Sequence, residues 1–138
     1  MRRETVLIVD DEPGILELVA AALRNSGYLV LKAPDGEAAL EIAAQHPGPI
    51  DLLLTDVRMP GLPGPEICLR LQQRRPGTRY LLMSGYPDGE VRGMAFLPKP
   101  FRVLDLLQSV RRVLDGAPGQ PAEPARSDRV AASSSRRR

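Results

Sequence analysis

Apolar residues in this chain gather into short runs, separated by proline, glycine and charged residues. Val6, Leu7, Ile8 and Val9 form one continuous run that stops on Asp10-Asp11. A run of this length, rich in β-branched residues, reads as a strand buried on both faces, here Thr5–Val9. Pro13 then suits the first turn of a helix. Ile15, Leu18, Val19, Ala22 and Leu23 recur at helical spacing, and Gly27 closes the helix. Tyr28–Leu31 is a second apolar strand. Asp35 is a good N-cap for a helix over Gly36–Gln45, with Glu37 in its first turn. The break His46-Pro47-Gly48-Pro49 precedes a third strand over 50–55, which ends on Asp56; proline and glycine at 60, 61, 63 and 64 forbid its continuation. Pro65 opens a helix to about Arg75, with Ile67, Leu71 and Cys68 inward, and Pro76-Gly77 ends it. Tyr80–Met83 is a fourth strand stopping on Ser84-Gly85. A short fifth strand, Ala95–Leu97, stops near Lys99-Pro100. Val103, Leu106, Leu107, Val110, Val113 and Leu114 complete a closing amphipathic helix.

Strands alternating with helices predict βαβ units and one parallel sheet. Ten residues separate Ser84 from Ala95, and Gly85, Pro87, Gly89 and Gly93 are among them. A crossover usually takes at least ~10–12 residues including its helix. A short helical turn or irregular loop is therefore expected there in place of a full helix. The apolar pattern stops after Leu114. This places one domain over 1–115 and predicts a disordered Pro/Ala/Ser/Arg-rich tail over 116–138.

Charge follows the same division. Residues 1–115 hold 14 Lys+Arg against 15 Asp+Glu, and the tail holds 5 against 2, so the overall +2 belongs to the tail. The body has no basic face for nucleic acid, and the polar stretch after Leu114 cannot form a helix-turn-helix. The single cysteine, Cys68, excludes an intramolecular disulfide and fits a reducing cytoplasm. No secretory signal opens the sequence, and no apolar run approaches the ~18–20 residues of a membrane span.

The polar stops carry the chemistry. In a parallel sheet all strand C-termini share one edge. With strand order 2-1-3-4-5, Asp10-Asp11, Asp56, Ser84 and Lys99 converge on one crevice. Three carboxylates ~4 Å apart repel by about 4 kcal/mol per pair at an effective dielectric of ~20. Either one is protonated or a cation sits among them, and hard oxygen ligands favour Mg²⁺. A carboxylate beside such an ion, facing an amine and a hydroxyl, is suited to accept a phosphoryl group.

Val6-Leu7-Ile8-Val9-Asp10-Asp11-Glu12, Thr55-Asp56-Val57-Arg58-Met59-Pro60-Gly61, Met83-Ser84-Gly85-Tyr86 and Phe96-Leu97-Pro98-Lys99-Pro100-Phe101 together resemble the receiver domain of two-component response regulators. The resemblance covers residues 5–114 and implies a flavodoxin-like, doubly wound α/β fold with a shortened or missing fourth helix. It implies that Asp56 takes a phosphoryl group from the phosphohistidine of a histidine kinase or phosphotransfer protein. Asp11 and Asp56, with the backbone carbonyl of Arg58, would ligate Mg²⁺, and Asp10 would act through water. Ser84 and Lys99 would bind phosphoryl oxygens, Phe96 matches the aromatic switch position, and Lys99-Pro100 matches a peptide that is cis in the family. Members have a full helix between the fourth and fifth strands, and the shorter segment here predicts an altered output surface. Arg58 and Tyr86 would flank the phosphorylated carboxylate and obstruct an attacking water.

Plainer readings stand beside these. Asp10 and Asp11 could cap the helix opening at Pro13, Ser84 could be a turn residue, and Lys99 a solvated lysine. Phe96 would be at home in any α/β core. Cys68 reads as a small core residue, His46 as a solvated loop residue, and Arg136-Arg137-Arg138 as a solvated end. A flavodoxin-like cofactor binder lacks its Gly-rich loop here, and an aspartate-based phosphatase lacks its second acid, since Arg58 stands there. A phosphorylation-independent interaction module and a receiver portion of a hybrid histidine kinase remain as alternatives.

Overall fold

The computed structural model describes residues 2–85 and 94–116. Of the crossover expected over 85–94, residues 86–93 lie outside the described residues, Tyr86 among them, as do residues 117–138 of the disordered tail expected over 116–138. Five strands, β1 (Thr5–Val9), β2 (Leu29–Ala33), β3 (Leu52–Asp56), β4 (Arg79–Ser84) and β5 (Phe96–Pro98), form one sheet in the order β2-β1-β3-β4-β5. All four pairings are parallel. Among the described residues the helices are α1 (Pro13–Asn25), α2 (Gly36–Gln45), α3 (Gly64–Arg74) and α4 (Val103–Leu114).

Successive side chains of a strand point to opposite faces, so a strand covered on both sides buries every residue and is apolar along most of its length. β1 and β3 meet that condition: every residue in each is buried. Val6, Ile8, Leu52, Leu54, Leu81 and Met83 pack on one side with Leu16, Val19 and Leu23 of α1 and Leu106 and Val110 of α4. Leu7, Val9, Leu53 and Leu82 face the other side, against Ala39 and Ala43 of α2 and Ile67, Cys68 and Leu71 of α3. Each such Leu or Ile contributes about 1.5–3 kcal/mol by leaving water.

Some expected boundaries and faces shift. β2 begins at Leu29 rather than Tyr28, because Gly27 turns with φ +97° and the Tyr28 N–H still bonds back to the Leu23 carbonyl. It continues through Lys32, whose ammonium leaves the edge strand to meet Glu17 at 2.6 Å. β3 starts at Leu52 because Asp51 is engaged elsewhere, accepting from the Thr5 N–H at 2.7 Å and from Arg2. Leu18 and Val103, expected inward from their spacing, are 49% and 44% exposed, and Leu16 and Ala20 take the buried face of α1.

Candidate functional site

The sheet order brings the C-terminal ends of β1 and β3 side by side, with β4 and β5 following. Asp10 leaves β1 fully buried, and its backbone N–H reaches the Ala33 carbonyl at 3.3 Å. Its Oδ1 accepts from the Glu12 N–H at 2.9 Å, which fixes the carboxylate and the turn into α1 together. Asp11 is exposed. Asp56 is the last residue of β3 and is 8% exposed.

The main chain around Asp56 is tightly held. The Val57 N–H donates to the Met83 carbonyl at 2.9 Å, and the Thr55 hydroxyl donates to the Asp56 carbonyl at 3.0 Å. Gly64, the first residue of α3, donates its N–H to the Val57 carbonyl at 2.9 Å. A Cβ on Gly64 would run into the Asp56 carbonyl oxygen, so only glycine allows α3 to begin this close to the end of β3.

Asp10, Asp11 and Asp56 each offer an oxygen within 4.8 Å of the others. Lys99 reaches across from the end of β5. Its Nζ lies 3.0 Å from Asp10 Oδ2, 3.5 Å from Asp56 Oδ2 and 3.5 Å from Glu12 Oε1. The Lys99 N–H donates to the Ser84 carbonyl at 2.7 Å, and the Lys99–Pro100 peptide is cis. Beside these groups opens a cavity of about 570 Å³, walled by Glu12, Asp56, Arg58 and Lys99 and by the apolar Ile15, Leu18, Pro100 and Phe101.

The charges oppose one another. Burial pushes the Asp56 carboxyl upward from its ordinary value; the Lys99 ammonium pulls it back, and the Asp10 and Asp11 charges push it up again. Burial pulls Lys99 down, but the hydrogen bond to Asp10 and the charges of Asp10, Asp56 and Glu12 outweigh it, and the net direction is upward. One ammonium thus faces an excess of carboxylate. Three carboxylate oxygens at this spacing suit a small hard cation such as Mg²⁺.

The predicted residues Asp10, Asp11, Asp56 and Lys99 come together, and Arg58 lies at the cavity wall. Ser84 is buried at the end of β4, one residue beyond the Met83 that pairs with Asp56. Phe96 is half-buried and packs with the core on the α2–α3 side, away from the cavity walls. The sequence reading passed over the side chain of Glu12 and over Gly64. A third acid directly after Asp10-Asp11, and a glycine at the start of α3, were the available signals.

The family model of the response regulator receiver domain matches residues 6–111. A curated relative, the sensor kinase CckA of Brucella abortus, is 35% identical over 118 residues, covering 80% of this chain and 12% of that protein. The sporulation initiation phosphotransferase F of Bacillus subtilis is 30% identical over 121 residues, covering 83% of this chain and 96% of that protein. The solved receiver domain of hybrid histidine kinase CckA is similar at a TM-score of 0.72 and 39% identity, covering 80% of this chain and 99% of that one. The chain spans between 12% and 49% of the length of the first curated relatives it matches.

Proposed function

The chain belongs to the response regulator receiver domain family, and from that premise we propose that Asp56 is a phosphoacceptor in two-component signalling. The donor is the phosphohistidine of a histidine kinase or phosphotransfer protein. An Asp56 oxygen forms a bond to phosphorus as the donor's N–P bond breaks, and the electron pair stays on the histidine nitrogen. The observation that carries this reading is the Lys99 ammonium set 3.0–3.5 Å from Asp10 and Asp56, beside an open cavity.

Each residue has a part. Asp11 and Asp56, the Arg58 backbone carbonyl and, through water, Asp10 would hold Mg²⁺. When bound, the ion supplies positive charge toward the phosphoryl oxygens. Lys99 supplies a second, permanent positive charge, and its backbone bond to Ser84 fixes the β4–β5 edge on which both sit. The Ser84 hydroxyl and the Lys99 ammonium bind phosphoryl oxygens, and Phe96 relays the change to the surface. Arg58, on the cavity wall, shields the acyl phosphate from water. The protein catalyses its own phosphorylation and dephosphorylation and acts on partners through contact.

Likeness to a kinase-linked receiver favours a second arrangement, in which this domain serves within a hybrid histidine kinase and hands the phosphoryl group on to a phosphotransfer histidine. Among the described residues, no helix is long and apolar enough to cross a membrane.

Incubation with Mg²⁺ and acetyl phosphate, followed by intact mass measurement, tests the reading. One added phosphate in the parent protein and none in Asp56→Asn is expected. An unmodified parent protein overturns it.

A further inference from the structure

We propose that Glu12 is a positioning residue that competes with the incoming phosphoryl group for Lys99 and so slows phosphorylation of Asp56. This rests on the phosphoacceptor reading. Glu12 is the N-cap of α1, yet its side chain makes no capping hydrogen bond; the helix opens instead on Pro13. The carboxylate points to the site, with Oε1 3.5 Å from Lys99 Nζ, and it forms part of the cavity wall beside Asp56.

An ammonium has three N–H donors. Three carboxylates already face this one: Asp10 at 3.0 Å, Asp56 at 3.5 Å and Glu12 at 3.5 Å. A phosphoryl oxygen arriving on Asp56 needs one of those positions. Asp10 is fully buried and also held by the Glu12 N–H, so it cannot withdraw. The Glu12 side chain is 65% exposed and can swing into water. Asp56 carries the phosphoryl group itself, so of the other two carboxylates Glu12 is the one that yields, and until it does, its charge repels the anionic donor at the mouth of the cavity.

Glu12→Gln removes the charge at constant length. At low ionic strength and saturating Mg²⁺, labelling by acetyl phosphate is expected to rise about three- to tenfold. That is the range a unit charge ~6 Å away exerts on a mono- to dianion in a water-like dielectric. In that transfer an Asp56 oxygen bonds to phosphorus and acetate departs with the electrons of the broken P–O bond. Phosphoramidate, which carries less negative charge, gains less. The advantage shrinks toward unity between ~0.01 and ~1 M salt, as the screening length falls from ~30 to ~3 Å. Glu12→Asp keeps the charge and stays within about twofold of the parent at the same dielectric. A Glu12→Gln rate equal to the parent's, or a change indifferent to salt and donor charge, overturns the proposal and leaves the phosphoacceptor reading standing. A parent protein that takes no phosphate overturns both.

Discussion

Asp56 sits under opposed demands. As the proposed phosphoacceptor it has to be ionised, yet burial and the charges of Asp10 and Asp11 favour its protonated form, with Lys99 as the main counterweight. An acid whose pKa is raised by folding binds its proton more tightly in the folded state. Its ionised form therefore costs stability at every pH above the folded value, and the cost fades as pH falls to the unfolded value. Asp56→Asn in EDTA is accordingly expected to raise Tm at pH 7 by about 2–5 °C, with the gain vanishing below the ordinary carboxylate range. Thermal scans across pH check this, and a lowered Tm at pH 7 would count against it. Asp10, Asp11, Asp56 and Lys99 were legible because each lies within two residues of the end of an apolar run, and a strand's end fixes where its next side chains go. Glu12 was not, since nothing in a sequence says whether an N-cap side chain turns to its own helix or across to another strand.

At the scale of elements, the site depends on how closely α3 begins beside β3. Gly64 is buried there, and a methyl group would meet the backbone of Asp56 and Val57, with Asp56 C and Val57 Cα each 3.1 Å away. Backbone at the end of a paired strand cannot yield as a flexible side chain does. Gly64→Ala is expected to cost about 1–3 kcal/mol of stability, as overpacking does, and to slow labelling of Asp56 at temperatures where the variant is still folded. Denaturant unfolding beside labelling kinetics measures both; parent-like values for both would contradict the account. The caps and periodicity that located the described helices did not reveal this contact, because it arises between elements rather than within one. The same limit holds for Leu18 and Val103. Each takes an apolar position on its helix yet is exposed, and Leu18 lines the cavity instead of the core.

Across the whole molecule, the strand order is what turns scattered residues into one site. Asp10 and Lys99 are 89 residues apart and meet at 3.0 Å because β1, β3, β4 and β5 lie side by side and point the same way. The βαβ alternation made the parallel sheet readable, and the order itself came with the resemblance to the receiver family. On the proposed function, this edge makes a single aspartate the acceptor. Borohydride reduction after phosphodonor treatment measures that most directly, because it converts an aspartyl phosphate to homoserine that peptide mass spectrometry can map. Homoserine at position 56 alone, dependent on Mg²⁺ and lost in Lys99→Ala, is the predicted result. Homoserine at another acid, or none at all, would contradict the account.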